Sequence, residues 1–457
     1  MVEIVEKNRL LGKMLGDQVI KQTDYRLLTH LLKYNVDNGL LIYNSLTGAL
    51  LFLDDSESSI TNNPNEFEKN IKEFLIRNWY LVPCDNDDNS LCDKANEMML
   101  MLYDMDKHPP LVHYTIFTTT DCNARCFYCF ENKRSKIHMS EKTAEDVAEF
   151  IIKSSKGLPI TIRWFGGEPL YNSKVIDIIC NSLSKANISY KSTMVSNGYL
   201  FSEDIINKSK DLWNLQSVKI ALDGTEEIYN RYKAYIYSDG SAFVRVINNI
   251  KNLIEAEIKV TVRLNMDFHN VDDLYDLAEY LHDKFGGTEL LDFDLHMLLE
   301  NSTQVQIDRP ESERHILINK YNDLNRYLAT FVKPKDYDLA SVRRWKQCMA
   351  DDNSATTILP DGRLGKCDYY TDDGFWGSIY SNEINEKEIA RFKKMIRPDG
   401  GNKCNSCPIR PICLMLKECC DNVNRCDVYD QQNKIIAMDN CILKTYEKYK
   451  KEKENEA

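Results

Sequence analysis

Cysteine placement constrains this chain more than any other feature of its sequence. Ten of the fifteen cysteines fall in two short stretches, three within 122–129 and seven within 404–441. In a reducing compartment thiols stay free, and clustered cysteines at short spacings indicate metal sites rather than disulfides. The remaining five are Cys84, Cys92, Cys180, Cys348 and Cys367. The distribution predicts a cytoplasmic protein with metal sites in both stretches.

Length and composition bound the class of protein. The 457 residues are too many for one ordinary core and predict roughly two to four domains. Hydrophobic residues make up 43% and charged residues 28%, and the sequence has neither a membrane-length apolar run nor a secretory signal. A net charge of −12 argues against a general nucleic-acid binder. We therefore expect a soluble chain that binds neither membrane nor nucleic acid.

The first part of the chain predicts a small unit followed by a linker. Residues 25–83 combine strand-like and helical runs, which predicts an α+β unit with a hairpin plus helices. We assign this unit to residues 1–95. The Asp- and Asn-rich stretch that begins at Pro83 indicates a linker, which we place at 96–112.

Six apolar strand-like runs alternate with helical segments over 113–300. They are HYTIFTTT, ITIRWF, YKSTMVS, SVKIALD, KVTVRLNM and DFDLHMLL. This alternation predicts βα units around a parallel sheet, and the length fits a partial barrel of six units. Because side chains alternate along a strand, Val262 should pack under the helices while Arg263 and Asn265 face the interior. Reacting groups gather at the carboxyl ends of barrel strands, where Asp223 and Asn265 lie.

The rest of the chain divides into three parts. Residues 301–345 are charged and favour helix, which predicts a helical bridging region. After Cys348 the sequence becomes loop-rich with dispersed cysteines, so we expect a metal-stapled domain over 346–445. Residues 446–457 predict a helix that ends in a solvated charged tail.

Cys122, Cys126 and Cys129 follow the first barrel strand at intervals that let three thiolates reach one centre. A 4Fe–4S cluster has four irons, so three protein ligands leave one iron open to a small molecule. The alternatives are a zinc site and a group of buried thiols. Zinc usually needs a fourth Cys or His close in sequence, and His113 and His138 are both poorly placed for that role.

This spacing resembles the signature of the radical S-adenosylmethionine superfamily, whose third cysteine follows an aromatic residue, here Tyr128. That family reductively cleaves S-adenosylmethionine at the open iron to give a 5′-deoxyadenosyl radical. The resemblance implies S-adenosylmethionine binding by residues at successive strand ends. They are Tyr128 near the adenine, Gly166, Gly167, Glu168 and Pro169 at the methionine ammonium, Ser196, Asn197 and Asp223 at ribose and carboxylate positions, and Arg263 at the methionine carboxylate.

Several of these residues also have structural interpretations. Short polar residues beside glycine, such as Ser196 and Asn197, are common turn formers, and Arg263 could form a structural ion pair. Three further residues share one face of the last strand and either line the substrate end of the cavity or form a hydrogen-bonded polar cluster. They are Asp292, Asp294 and His296.

The second cysteine group resembles the SPASM domain, a C-terminal extension that carries two auxiliary 4Fe–4S clusters in enzymes that modify peptides and proteins. The family pattern expects a cysteine at the position of Lys417, so this chain departs from it there. Nine cysteines lie from Cys348 onward, enough for two clusters of four. The implied ligand sets are Cys404, Cys407, Cys413 and Cys441 for one cluster, and Cys348, Cys367, Cys419 or Cys420, and Cys426 or an open site for the other.

Residues 25–83 resemble, more loosely, the RiPP recognition element, a winged-helix-like unit whose hairpin edge captures the leader of a precursor peptide by adding a strand. A structural cap on the barrel is the alternative. Together the resemblances imply an α/β chain with an N-terminal winged-helix-like α+β domain, a partial (β/α)6 barrel and a C-terminal iron–sulfur domain.

The implied function is a radical S-adenosylmethionine peptide maturase that installs a thioether or carbon–carbon crosslink in a ribosomally made precursor peptide. Its expected cofactors are three 4Fe–4S clusters and S-adenosylmethionine, and a flavodoxin or ferredoxin would supply electrons. The alternatives are an anaerobic sulfatase-maturating, formylglycine-forming enzyme and a non-enzymatic iron–sulfur electron-transfer protein. An RNA-modifying member of the superfamily is disfavoured by the acidic composition.

Overall fold

A nine-stranded sheet runs through the molecule, and its six strands between residues 113 and 297 are parallel and in chain order. The predicted α/β class with a parallel sheet is confirmed, and all six predicted barrel strands are present. The computed structural model describes residues 2–7, 10–104, 107–131, 134–298, 311–331, 339, 348–369, 373–396, 401–416 and 428–456.

Seventeen strands lie in the described parts of the chain. They are β1 (Val2–Glu6), β2 (Tyr25–Leu27), β3 (Leu31–Val36), β4 (Gly39–Asn44), β5 (Ala49–Asp54), β6 (Leu81–Pro83), β7 (His113–Thr119), β8 (Ile160–Gly166), β9 (Tyr190–Ser196), β10 (Leu215–Leu222), β11 (Lys259–Met266), β12 (Leu291–Met297), β13 (Ala355–Ile358), β14 (Arg363–Gly365), β15 (Phe375–Ser378), β16 (Lys394–Ile396) and β17 (Leu414–Leu416).

Helices surround these strands, and no described helix is long and apolar enough to cross a bilayer. The α-helices are Leu10–Leu15, Asp55–Ile60, Lys69–Arg77, Asp88–Tyr103, Glu141–Ser155, Ser173–Lys185, Glu203–Asp211, Glu226–Lys233, Ala242–Glu255, Val271–Phe285, Glu311–Leu328, Glu386–Arg391, Asn402–Asn405 and Val428–Glu456. The 3₁₀ helices are Pro64–Glu66, Pro169–Asn172, Met349–Asp351 and Arg410–Ile412.

The alternation of side chains along the barrel strands agrees with the sequence prediction. Val218, Val262 and Leu264 are fully buried in the core shared with the surrounding helices. Arg263 and Asn265, on the other face of β11, make polar contacts instead. One face of each strand therefore packs the sheet against the surrounding helices, while the other is left for polar chemistry.

Strands β13 to β15 extend the sheet beyond its first barrel strand. β13 pairs parallel with β7, from Ala355 opposite His113 to Ile358 opposite Ile116, and β14 and β15 follow antiparallel. The prediction that the chain is loop-rich after Cys348 is therefore wrong for this segment. Pairing with β7 satisfies backbone groups that would otherwise form an exposed sheet edge.

The N-terminal unit is mainly a sheet. Its four antiparallel strands lie in the order β1-β5-β4-β3, and the predicted hairpin is β4–β5. Ahead of this hairpin lie the strands β2 and β3, at Tyr25–Leu27 and Leu31–Val36. Leu75 and Ile76 of the helix Lys69–Arg77 pack on one face of the sheet.

The segment predicted as a linker is largely helical. Asp87 caps the helix Asp88–Tyr103 by accepting from the backbone of Asn89 and Ser90. The linker placed at 96–112 was wrong at its start, because the polar residues that suggested it form this cap. Ala95 and Met99 of the helix pack into the N-terminal core.

The second face of the N-terminal sheet packs against the C-terminal segment. Leu41, Tyr43 and Leu50 share a buried cluster with Cys407 and Cys441.

The C-terminal helix Val428–Glu456 lies along the same sheet. Tyr449 donates to the Glu3 carboxylate at 3.0 Å, and Lys453 pairs with Glu3 at 2.6 Å. The predicted solvated tail over 446–457 was therefore wrong for the residues that contact β1. Its charges are partly engaged by the other end of the chain.

Replacing Leu50 with Ala tests this packing between chain ends. Leu50 is fully buried, so the variant should lose about 2–5 kcal/mol in the free energy of unfolding. Urea titration followed by circular dichroism measures the loss. Val244→Ala, at a side chain that is 49% exposed, should change it by less than about 0.5 kcal/mol. Equal effects of the two changes would contradict the buried interface.

Candidate functional site

The three cysteines of the first group lie on one loop at the carboxyl end of β7. Burial raises the pKa of the Cys122 and Cys129 thiols to about 12, and nearby carboxylates and the neighbouring cysteines add to the effect. The pKa of Cys126 is raised by burial as well. The structure therefore brings the three predicted thiols together in a setting that disfavours uncompensated thiolates.

This donor set fits an iron–sulfur cluster. Metal binding requires deprotonated thiolates, and the positive charge of the irons compensates them where burial alone would not. No group of three Cys, His, Asp or Glu side chains in the described residues could hold a single metal ion. Thiolates on a 4Fe–4S cluster each bind a different iron.

Two glycines allow the end of β8 to lie against the cysteine loop. A Cβ on Gly166 would collide with the carbonyl of Thr119, and one on Gly167 with the carbonyl of Asp121. Gly166 also has φ of +129°, which side chains disfavour. The next residue, Glu168, donates its backbone N–H to Asp121 at 2.9 Å. The close approach that these glycines permit is thus to the loop that carries the thiols.

Glu168 joins the ends of β8 and β9. Its buried carboxylate accepts from Ser196 Oγ at 2.9 Å, from the Asn197 backbone at 2.8 Å and from the Leu170 backbone at 3.1 Å. Burial raises its pKa to about 7 against the effect of these donors. Pro169 follows at the start of a 3₁₀ turn. The predicted residues on two strand ends therefore form one hydrogen-bonded unit.

Asn197 connects that unit to the cysteine loop. Its Nδ2 donates to Asn123 Oδ1 at 2.6 Å and lies 3.7 Å from Cys122 Sγ. Asn123 Nδ2 is buried and has no partner among the residues described. A buried donor left in this way is typical of a site that receives a ligand.

Asp223 lies in a second buried network at the end of β10. Its carboxylate accepts from Tyr128 Oη at 2.5 Å and from Asn265 Nδ2 at 2.9 Å. Lys233 Nζ lies 2.9 Å from the same carboxylate and 2.7 Å from Tyr128 Oη. Burial, reinforced by the charge of Asp223, holds the pKa of Tyr128 well above its ordinary value.

Lys233 is a site residue that sequence reasoning missed. Its side chain is 3% exposed, and its backbone carbonyl accepts from the Arg125 N–H at 2.8 Å. It therefore supports both Asp223 and the cysteine loop. Lys233 ends an amphipathic helix, and no motif or spacing distinguishes it from an ordinary surface lysine.

The polar residues deeper in the barrel are paired with one another. Arg263 donates to Asn265 at 3.1 Å and so reaches the Asp223 network through that amide. Asp294 pairs with Lys219 at 2.6 Å.

Two other residues of β12 have different surroundings. Asp292 lies 3.6 Å from Lys259. Burial, followed by the charge of Arg263, lowers the pKa of His296 to about 3. Asp292, Asp294 and His296 could either line the substrate end of the cavity or form a polar cluster, and the ion pairs favour the polar cluster.

The C-terminal cysteines lie in two groups. Cys348 is exposed, but partial desolvation raises the pKa of its thiol to about 11, and the nearby Cys367 thiol adds to the effect. Cys407 and Cys441 share one buried cluster. The remaining described members are Cys404 and Cys413, in the turns that flank Cys407. Cys419, Cys420 and Cys426 lie outside the described residues.

An aromatic and charged contact joins the cysteine loop to the Cys367 segment. Phe130 stacks on Tyr369 with ring centroids 5.1 Å apart, and Arg134 lies 4.9 Å from the centroid of Phe130. Arg163 of β8 pairs with Asp368 at 2.5 Å. The residue after Cys129 is thus held against the chain that follows Cys367.

A cavity of about 450 Å³ opens near the amino ends of β7, β8 and β9. Its wall includes Arg163, Lys191 and Cys348. The Nε of Arg163 is buried without a partner in the described parts of the chain. The Cys348 segment therefore borders an open space rather than a packed core.

Comparison with known proteins identifies the barrel segment. Residues 116–281 match the family model of the radical SAM superfamily. An uncharacterized protein of Methanocaldococcus jannaschii is 32% identical over 26% of this chain and 42% of its own length. A GTP 3',8-cyclase of Clostridium perfringens is 28% identical over 57% of this chain and 82% of the enzyme.

A solved structure resembles the fold more extensively. Native anSMEcpe, with bound AdoMet and the Cp18Cys peptide, has a TM-score of 0.54 at 14% sequence identity. The alignment covers 75% of this chain and 100% of that one. At this identity the likeness concerns the fold.

Replacing Glu168 with Gln should change how stability depends on pH in the metal-free chain. The folded pKa of about 7 exceeds the ordinary 4.5, so the folded chain keeps a proton that the unfolded chain loses. This stabilisation is complete below about pH 4.5 and is lost as pH rises through about 7. Between about pH 5 and pH 8 the free energy of unfolding should therefore fall by on the order of 3 kcal/mol less in the variant than in the wild type.

Urea unfolding at several pH values measures the effect. Glu149→Gln, on an exposed helix face, serves as the matched control and should keep the wild-type slope. If Glu168→Gln kept the wild-type dependence of stability on pH, the Glu168 carboxyl would not be a buried group with a raised pKa.

Proposed function

We propose that this chain, whose residues 116–281 match the family model of the radical SAM superfamily, is a radical S-adenosylmethionine enzyme that modifies a ribosomally made peptide. The observation that carries the substrate class is the N-terminal sheet with an edge strand beside the cysteine-rich segment. We further propose that the modification is a thioether or a carbon–carbon crosslink.

Cys122, Cys126 and Cys129 would hold a 4Fe–4S cluster. When bound, the cluster and S-adenosylmethionine supply reductive cleavage of the sulfonium and a 5′-deoxyadenosyl radical. The protein's part is to hold the loop and keep water away from the reacting groups. The glycine contacts of Gly166 and Gly167 fix the loop against β8, which supports this role.

Polar groups at the strand ends would orient S-adenosylmethionine. Glu168 offers a buried carboxylate suited to an ammonium group, and its donors from Ser196 and Asn197 keep it in place. Asp223, braced by Tyr128 and Lys233, offers acceptors for ribose hydroxyls. Gly166, Gly167 and Pro169 at the end of β8, and Arg263 on β11, would supply the remaining contacts.

The edge strand β3 would capture a peptide leader. It pairs with β4 on one side, and no other described strand pairs with it. An extended peptide can add to such an edge through main-chain hydrogen bonds. Lys33 and Asn35 on this strand are exposed. The peptide bound in the solved anSMEcpe structure gives independent support for a peptide substrate.

The C-terminal cysteines would hold two auxiliary 4Fe–4S clusters. Burial of Cys407 with Cys441, and the proximity of Cys348 to Cys367, support this assignment. Such clusters can accept electrons released when a substrate is oxidised. A flavodoxin or ferredoxin would supply the electrons for the first cluster.

A nucleotide substrate is the second candidate. The curated relatives include GTP 3',8-cyclases, one of which aligns over 57% of this chain. The N-terminal sheet and the nine cysteines from Cys348 onward favour the peptide.

Replacing Cys122, Cys126 and Cys129 together with Ala tests the radical chemistry. The anaerobically reconstituted, reduced wild type should release 5′-deoxyadenosine from S-adenosylmethionine, and the variant should release none because its cluster ligands are gone. Chromatography with mass detection measures the product. Cys84→Ala, at an exposed thiol outside the three groups, should behave as wild type. Persistent release by the triple variant would overturn the proposal.

Substrate class is tested by supplying the reduced, loaded enzyme with GTP or with a small peptide encoded beside its gene. We expect the peptide to lose hydrogen, seen as a mass decrease of about 2 Da per crosslink, and GTP to remain unchanged. Consumption of GTP with an unchanged peptide would favour the nucleotide candidate instead.

A further inference from the structure

The turn at Cys407 and Pro408 is held by side chains from the far end of the chain. His30 Nδ1 lies 2.8 Å from the Cys407 carbonyl oxygen. Ser45 Oγ lies 2.6 Å from the Pro408 carbonyl oxygen and 2.7 Å from the His30 carbonyl oxygen. Both His30 and Ser45 are fully buried. Two consecutive carbonyls of the C-terminal turn thus lie within hydrogen-bond distance of donors on the N-terminal unit.

The contact fixes the state of the His30 ring. A carbonyl oxygen only accepts hydrogen bonds, so Nδ1 must carry the hydrogen. The other nitrogen, Nε2, is buried and has no partner among the described residues. The bond to Cys407 is therefore the polar interaction that the buried ring makes, and it is directed at the backbone of a candidate metal ligand.

The Cys407 backbone is also the centre of its own turn. Its N–H donates to the Cys404 carbonyl at 3.1 Å, and its carbonyl accepts from the Arg410 N–H at 3.1 Å. Water is excluded, since Cys407 is 7% exposed and Cys441 is 3% exposed. Removing the His30 donor would weaken a carbonyl contact that solvent cannot replace. The turn would then lose part of what holds Cys404 and Cys407 in place.

The same elements carry the proposed peptide edge. His30 directly precedes β3, which begins at Leu31, and Ser45 directly follows β4, which ends at Asn44. The apolar face behind those strands packs on Cys407 and Cys441. The edge strand and the cysteine turn therefore share one set of contacts.

We propose that His30 is a positioning residue of the site formed by Cys404, Cys407, Cys413 and Cys441. Metal loading of this site and docking of the N-terminal sheet would then stabilise each other. The proposal rests on the proposed function, because it takes these four cysteines as cluster ligands. Linkage requires the effect to be reciprocal: metal should order the sheet, and a docked sheet should retain metal. A peptide bound at β3 would then act on the site through His30.

Two substitutions separate the Nδ1 bond from the rest of the ring. The amide nitrogen of Asn lies near the position of Nδ1, whereas that of Gln lies near the position of Nε2. His30→Asn can therefore keep a donor toward the Cys407 carbonyl, and His30→Gln removes it. Tyr449→Phe is the matched control, since it loses a contact of the same interface at Glu3, far along the C-terminal helix.

The reconstituted full-length chains are compared by iron content and by hydrogen exchange at β4 and β5. We expect wild type, His30→Asn and Tyr449→Phe to hold the same iron, about twelve per chain for three clusters. His30→Gln should lose about four irons and exchange its β4 and β5 amides at least about tenfold faster. The cluster of Cys122, Cys126 and Cys129, followed by its electron paramagnetic resonance signal, should be retained and shows that the variant folds.

Several outcomes would overturn the proposal. They are full iron in His30→Gln, equal loss in His30→Asn and His30→Gln, loss of the Cys122 cluster together with the other iron, and a wild type with iron at the Cys122 loop alone. Failure of the proposed function has a different signature. A wild type that releases no 5′-deoxyadenosine would refute the enzyme activity, while the iron and exchange differences between the two His30 variants would still decide the role of His30.

Discussion

Backbone contact between the end of β8 and the cysteine loop is the constraint on which the site depends. Gly166 and Gly167 leave no space for a Cβ against the carbonyls of Thr119 and Asp121. Because the end of β8 and the cysteine loop touch there, Glu168 can reach the end of β9, and Asn197 can reach Cys122. The thiols, the buried carboxylate and the amide are thus positioned by a single close approach.

A second level of organisation links the ends of the chain. Cys407 and Cys441 are buried against the N-terminal sheet, and Phe130 beside Cys129 stacks on Tyr369 beyond Cys367. Each candidate metal group therefore touches another part of the fold through residues next to its thiols. Peptide capture, radical chemistry and electron transfer would occur in parts that support one another rather than in separate modules.

Local patterns account for what the sequence could predict. The two-residue alternation in KVTVRLNM gave the faces of β11 correctly, and the strand-end motifs converge because parallel strands bring their carboxyl ends to one edge. The Asp-rich stretch misled because capping by Asp87 and a flexible linker have the same composition. His30, Lys233 and the contacts of the last helix depend on packing between distant segments, and no short-range pattern encodes them.

The central claim is that three thiolates hold a 4Fe–4S cluster with one iron open to S-adenosylmethionine. The most direct measurement is electron paramagnetic resonance of the reduced, anaerobically loaded chain before and after S-adenosylmethionine is added. Auxiliary cluster signals are removed by comparison with the triple Cys122, Cys126 and Cys129 variant. We predict that the difference signal changes on addition, because the ligand binds the open iron. A difference signal that stays the same at saturating S-adenosylmethionine would contradict the account.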